Sequence, residues 1–341
     1  MKILLTGGTG FLGRELLKLL LQESRVESVQ LLTRQRLTHP DPRVHFLRFD
    51  LSSSENLSSL IPASRDLFPD RIIHLAGLYD FSAQDSDHYS QNVLATLNLL
   101  ELSKVFHSAK PIQVFFASTY TVASALKTPL CEEPLPKITD SPVSYAFTKA
   151  VAERLITDSG LPYSVYRIGI LVGAQRPSSQ IERLDGPYLF LDLLQKLRPL
   201  VRYWRSALPL PVKPDLPFPL VPVDLAAKAI AARALQERSS SNVYGLYDSS
   251  TARIGEFCES AFERYLPKSK IRYASSPERW LPAVERFFGP SLARAFYFAQ
   301  SEVNFPNENF KRDHPEVTIP FFKAYQESFF ETFERFKGAH R

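Results

Sequence analysis

The chain has 341 residues, 44% hydrophobic and 23% charged, with no run of 18 consecutive apolar residues, which reads as a soluble globular protein rather than a disordered or membrane-spanning one. The formal net charge of +5 is dispersed rather than gathered into a basic run with aromatics. That sets nucleic acid aside and suits an anionic cofactor or substrate.

Met1-Lys2 lead directly into an apolar strand pattern, so a cytoplasmic location is expected. Residues 2–6 read as a buried strand, Gly7 to Gly13 as a turn, and Arg14 to Gln22 as a helix. The alternation continues with strands over 28–33, 44–49 and 71–76, a helix over 87–107, a strand over 112–117, a helix over 144–159 and a strand over 163–168. Strands alternating with helices predict right-handed crossovers and a parallel sheet covered on both faces. The fold class is therefore α/β, a Rossmann-type doubly wound parallel sheet with a smaller, mostly helical C-terminal substrate lobe. The predicted nucleotide-binding domain covers 1–173, with 219–250 returning to it; 174–218 and 251–341 form the lobe. Seven prolines from Pro199 to Pro222 predict extended or looped chain there. Residues 224–236 resume as a helix, with Asp224 near its start as the candidate cap. Phe322, Tyr325, Phe329, Phe333 and Phe336 fall on one helical stripe, expected to pack on the lobe. A fatty-substrate cover or a peripheral membrane contact is the alternative use of that stripe. Cys131 and Cys258 lie far apart and match neither a disulfide framework nor metal-ligand spacing, so no metal is expected.

In Thr6-Gly7-Gly8-Thr9-Gly10-Phe11-Leu12-Gly13 the glycines serve a tight turn, a close backbone approach to a pyrophosphate, and helix–sheet packing. The following helix start offers amides and a positive dipole end to the phosphates. This makes Gly7, Thr9, Gly10, Phe11, Leu12 and Gly13 candidate dinucleotide contacts. At the end of the second strand Thr33-Arg34-Gln35-Arg36 carries no acid to accept from a ribose 2′-hydroxyl. Two guanidiniums suit a 2′-phosphate, so NADP (NADPH) is the expected cofactor, gripped by Arg34 and Arg36. Asp50 and Leu51, after the third strand, are placed to meet the adenine.

Taken together, the glycine motif, Tyr145-Ala-Phe-Thr-Lys149, the Thr119 region and Arg167-Ile-Gly-Ile-Leu-Val-Gly173 resemble the extended short-chain dehydrogenase/reductase family, within the epimerase/dehydratase superfamily. The match runs from Met1 to about Leu235. His74-Leu-Ala-Gly-Leu-Tyr-Asp-Phe81, Ala117-Ser-Thr-Tyr-Thr-Val122 and Val221-Pro-Val-Asp224 resemble more closely its fatty acyl-CoA reductase and thioester reductase branch. The residues carry a physical argument of their own. Tyr145 and Lys149 at i, i+4 share a helix face, where a cation favours the phenolate of a side chain that otherwise titrates near 10. In reduction, Tyr145 donates a proton to the carbonyl oxygen while the cofactor delivers hydride to carbon.

The resemblance implies that Lys149 also holds the nicotinamide ribose and that Thr119 hydrogen-bonds the substrate oxygen, with Ser118 as runner-up. It further implies that Leu75, Ala76 and Gly77 line the cofactor and that Asn92 lies near the site. His74 reads as a packed histidine rather than an acid/base group. Two departures stand out: Gly77 where the family usually has alanine, and Thr-Tyr-Thr-Val-Ala-Ser in place of the sugar-nucleotide enzymes' Ser-x-x-Val-Tyr-Gly. The expected activity is NADP(H)-dependent reduction of an apolar carbonyl or acyl thioester. A nucleotide-sugar epimerase or dehydratase, a hydroxysteroid-type dehydrogenase, and a non-catalytic NADP-binding protein remain the alternatives. A homodimer through the helices bearing Asn92 and Tyr145 is implied by resemblance alone.

Overall fold

The computed structural model describes residues 1–341 apart from 54, 55, 81, 140, 177–180, 182, 202–206, 238, 239, 275, 276, 289, 300–304, 340 and 341. Phe81, part of one motif above, lies outside the described residues. The chain divides into two compact units. The first comprises Met1–Ile168, Val223–Leu246 and Pro306–Thr318; the second comprises Gly169–Pro222, Tyr247–Phe305 and Ile319–Arg341.

The first unit contains a seven-stranded, all-parallel sheet. Its strands are β1 (Lys2–Thr6), β2 (Ser28–Thr33), β3 (Val44–Arg48), β4 (Arg71–His74), β5 (Gln113–Thr119), β6 (Tyr163–Ile168) and the strand Asn242–Leu246. From one edge the order is 242–246, β6, β5, β4, β1, β2, β3, and the direction of winding reverses between β1 and β4, the crevice where such sheets take ligands. Four helices carry the rest of the site: α1 (Phe11–Gln22), α2 (Asp85–His88), α3 (Ala95–Ala109) and α4 (Ser144–Thr157). Leu4, Leu32 and Ile72 turn to the face covered by Leu99, Leu102 and Phe106 of α3. Alternation sends Arg71 to the other face, where its Nε donates to Ala234 O at 3.1 Å, at the end of the helix Val223–Leu235. Both faces are thus covered, as near-continuous apolar strands require.

The helix expected over 87–107 is a run of three pieces. Between α2 and α3 the chain makes a π turn over Tyr89–Leu94, the local widening often found at functional sites.

In the second unit the proline-rich stretch is extended or looped as expected over the described residues from 207 to 222, and Pro199 is the exception. Pro199 lies inside the helix Gly186–Val201, near its end, where the loss is one bond to the carbonyl four residues back. Beyond it come two short parallel pairings, Leu208–Leu210 with Ile271–Tyr273 and Leu220–Pro222 with Ile170–Val172. In the aromatic stripe, Phe322, Tyr325, Phe329 and Phe333 are buried. Tyr188 stacks on Phe329 at 4.8 Å between ring centroids. Among the described residues no helix is long and apolar enough to cross a membrane.

Candidate active site

At the exit of β1, Gly7 has φ +70°, and a Cβ there would stand 2.6 Å from the amide nitrogen of Ala76. Only glycine allows the β1 and β4 exits to come so close. A Cβ on Gly13 would stand 2.1 Å from the Gly7 carbonyl oxygen, so α1 lies directly on the turn. The Gly10 amide donates to Gly7 O at 3.0 Å. The start of α1 has no side-chain cap and no acidic residue in its first turn, which leaves its positive end suited to an anion. Thr9, Gly10 and Phe11 are half-buried beside it, and the Leu12 side chain joins the core.

The β4 exit is fixed by a chain of hydrogen bonds. The Thr6 hydroxyl donates to His74 Nδ1 at 2.6 Å and accepts from the Ala76 amide at 3.2 Å. His74 Nε2 lies 3.1 Å from Thr96 Oγ1, whose own proton goes to Asn92 O at 2.6 Å. Nε2 therefore carries the ring hydrogen. Burial, aided by the charge of Lys149, pulls the imidazole down to about 3, and His74 is a neutral packing residue, as expected. Asn92, on the π turn, accepts the Leu78 amide at 2.7 Å and donates to Thr148 Oγ1 at 3.1 Å. A Cβ on Gly77 would come within 3.0 Å of Asn92 Oδ1 and 3.8 Å of Lys149 Nζ. The departure to glycine keeps this spot clear, and Gly77 is exposed while Leu75 and Ala76 are half-buried.

Tyr145 and Lys149 lie on α4, both buried. Lys149 Nζ donates to Ala117 O at 2.6 Å and sits 4.1 Å from the centre of the Phe116 ring. Burial pulls its ammonium down to about 7, opposed by the carboxylate of Glu153. The Tyr145 ring packs edge-on to Tyr79 at 5.1 Å and near His88 at 6.2 Å. Thr119 closes β5 and caps the following 3₁₀ turn: its Oγ1 accepts the Thr121 amide at 3.2 Å. Ser118, the runner-up, donates to Glu153 Oε2 at 2.5 Å instead.

The structure thus gathers Gly7, Ala76, Gly77, Asn92 and Lys149 at the exits of β1, β4 and β5. Arg34, Arg36 and Asp50 lie around the exits of β2 and β3, and Gln91 links Arg34 and Ser52 to the π turn that bears Asn92. Arg34 is exposed and donates through Nη1 to Gln91 Oε1 at 3.4 Å, and Arg36 is exposed two residues on. Gln91 Nε2 in turn donates to Ser52 Oγ at 3.0 Å. Asp50 spends Oδ1 on the Ser52 amide and hydroxyl at 2.9 and 2.6 Å, and Leu51 is buried in the core.

Gln91, His88 and Glu153 are additions of the structure, and Tyr79 lies in the His74–Phe81 motif without a role assigned to it there. Of the three, Glu153 had a visible signal, continuing the i, i+4 line of Tyr145 and Lys149 along one helix face.

Fold and site define an NAD(P)-binding α/β enzyme of the extended short-chain dehydrogenase/reductase type. Residues 3–196 match the NAD dependent epimerase/dehydratase family, and the chain belongs to it. D-erythronate dehydrogenase of Haemophilus influenzae is 33% identical over 165 residues, 46% of this chain and 50% of that protein. The chain spans half or less of the length of the curated relatives it matches. Among solved structures it is similar to the terminal R domain from the myxalamid PKS-NRPS pathway, with a TM-score of 0.73 and 22% identity over 99% of this chain and 90% of that one. It is similar too to MoeE5 in complex with UDP-glucuronic acid and NAD, with a TM-score of 0.65 and 18% identity over 98% and 99% of the two chains.

The cofactor expectation is corrected by this last group: MoeE5 and further similar chains were solved with NAD, not NADP. The physical reason lies at β2. The charge of Arg34 and Arg36 was read without their geometry, and the structure shows Arg34 turned to a neutral amide on the π turn and Arg36 out in solvent.

Proposed function

We propose that the chain is an NAD(H)-dependent reductase of an acyl thioester or apolar carbonyl. The observation that carries the chemistry is the buried Tyr145–Lys149 face of α4 beside Gly77, at the switch point of the sheet. The residues present fit a dinucleotide. The glycine turn and the uncapped start of α1 would take the pyrophosphate, and Lys149 would hold the nicotinamide ribose next to Gly77. NADH, when bound there, supplies the hydride. Tyr145 hands its phenolic proton to the carbonyl oxygen, and the Lys149 ammonium stabilises the phenolate left behind. Thr119 orients the substrate oxygen by donating its hydroxyl proton to it, while Oγ1 keeps accepting the Thr121 amide. With a thioester the product is a hemithioacetal. Its collapse re-forms the C=O bond, breaks the C–S bond and passes the hydroxyl proton to the departing thiolate, giving aldehyde and thiol.

Similarity across nearly the whole chain to a thiolation-reductase di-domain of an archaeal non-ribosomal peptide synthetase and to the myxalamid terminal R domain supports the thioester, as do the hybrid PKS-NRPS synthetases among its relatives, one aligned over 91% of this chain. The UDP-glucuronic acid in MoeE5 supports a second reading, a nucleotide-sugar enzyme.

NADH oxidation followed at 340 nm against acyl-CoAs and aliphatic aldehydes, beside chromatography of UDP-sugars incubated with the protein and NAD, decides between them. The expected result is consumption with acyl-CoA or aldehyde, lowered by about 10²–10⁴-fold in Tyr145→Phe with NADH binding retained. Interconversion of a UDP-sugar with no activity on the other two classes would overturn the proposal.

A further inference from the structure

The interior of the first unit holds Lys149, Glu153 and Arg167, the first two on one helix and the last two hydrogen-bonded to each other. Lys149 and Glu153 are successive turns of the same face of α4, and Glu153 is fully buried. Arg167, next to the last residue of β6 and 1% exposed, donates to Glu153 Oε1 through Nε at 3.0 Å and Nη2 at 2.5 Å. Its Nη2 also reaches Glu133 O at 2.7 Å, and its Nη1 donates to Cys131 O. The other carboxylate oxygen takes the Ser118 hydroxyl. Ser118 is flanked by Ala117, whose carbonyl accepts Lys149 Nζ, and by Thr119.

A buried ion pair is a poor source of stability, because desolvation consumes most of its attraction. A pair kept beside a buried ammonium has a better use. We infer that Glu153 is a positioning residue for Lys149: it supplies the buried negative charge that keeps the lysine protonated, with Arg167 fixing its place and Ser118 tying it to the β5 segment that also holds Lys149 and Thr119. The inference rests on the proposed cofactor role of Lys149. The groups around that ammonium are consistent with it. Glu153 and Tyr145 share its helix, His74 on β4 is neutral, the Phe116 ring lies 4.1 Å away, and Arg167 is the counter-ion of Glu153, so it offsets part of the carboxylate's charge and fixes its place. Of these, Glu153 opposes the effect of burial on Lys149.

The test is NADH affinity of the full chain from pH 6 to 10, read by nicotinamide fluorescence, beside thermal melts. Glu153→Gln is expected to lower the pH at which binding falls off by about one unit, an about tenfold loss where the variant lysine is neutral and the wild-type one charged. Glu153→Asp, which keeps the charge one methylene further back, is expected to shift it the same way by less. A lower melting temperature with the wild-type pH profile in both variants would mean a merely structural pair and overturn the inference. If Glu153→Gln does not fold, the aspartate variant decides alone: a lowered midpoint supports the inference and an unmoved one overturns it. Lys149→Met separates the two levels. If it leaves NADH affinity and its pH dependence untouched, the cofactor role of Lys149 fails. If it abolishes the pH dependence while the Glu153 variants keep the wild-type profile, only the role of Glu153 fails.

Discussion

The two units bury different things. The first places Lys149, Glu153, Arg167 and His74 in its interior, each held by named hydrogen bonds to other elements. The second holds a cluster of rings in its interior: Tyr188, Phe257, Phe322, Phe329 and Phe333 are all under 4% exposed and pack at 4.8–6.4 Å between centroids. Most of the 25 phenylalanines in the chain belong to this second unit. Apolar burial is non-directional and a core tolerates exchanges of similar volume, whereas a buried charge demands a partner at one place and in one protonation state. Chemistry is thus written in the first interior, and shape in the second.

After the loss of turnover in Tyr145→Phe, the largest expected effect falls in the aromatic interior. Phe329 is fully buried and touches Tyr188, Phe257, Phe322 and Phe330. Phe329→Ala should cost about 3–5 kcal/mol, the usual penalty for a ring removed from a packed core. Calorimetry should show a transition moved down in temperature, with NADH affinity unchanged below it. Loss of NADH binding in a protein that is still folded would break the division between a chemical interior and a structural one.

A smaller effect tests the polar interior. Folded His74 titrates near 3 rather than 6.5 because burial disfavours its charged form. Between these values the unfolded chain binds the extra proton, so stability falls as pH drops through the window and is fully present above 6.5. The slope from one such group approaches about 1.4 kcal/mol per pH unit. His314, pulled down to about 4 chiefly by burial, adds a slope of the same sign in any variant that keeps it. The difference between wild type and His74→Gln therefore isolates His74. Urea unfolding at pH 4, 5 and 6 should give a flatter dependence in the variant; parallel curves would mean that His74 is solvated.

Much of this contrast was legible in the sequence, and the exceptions have a common cause. Strands β2 and β6 begin and end where the apolar runs do, since parallel strands buried on both faces leave little room for ambiguity. Gly7 and Gly13 were readable from spacing because each answers a local backbone demand. The helical period likewise put Tyr145 and Lys149 on one face. What was not legible joins residues distant in sequence: Ser118 to Glu153, Glu153 to Arg167, Gln91 to both Ser52 and Arg34. The π turn was hidden for another reason, since widening one turn leaves the apolar pattern of the helix nearly intact. Arg34 and Arg36 were misread because charge indicates what a side chain attracts, and only geometry shows what it reaches.

That misreading supplies the smallest effect and the sharpest limit on the comparison. Arg34 is a polar group at the rim rather than in the interior, with a long, exposed bond to Gln91. A neutral-acceptor hydrogen bond in solvent contributes about 1 kcal/mol or less, so Arg34→Ala should weaken NADH binding by no more than about fivefold. NADH should be preferred over NADPH before and after the substitution, as fluorescence titration with each cofactor would show. If the variant instead lost NADH binding by orders of magnitude, the guanidinium would be a ribose contact that swings away from Gln91. The interior would then no longer hold all of the chemistry.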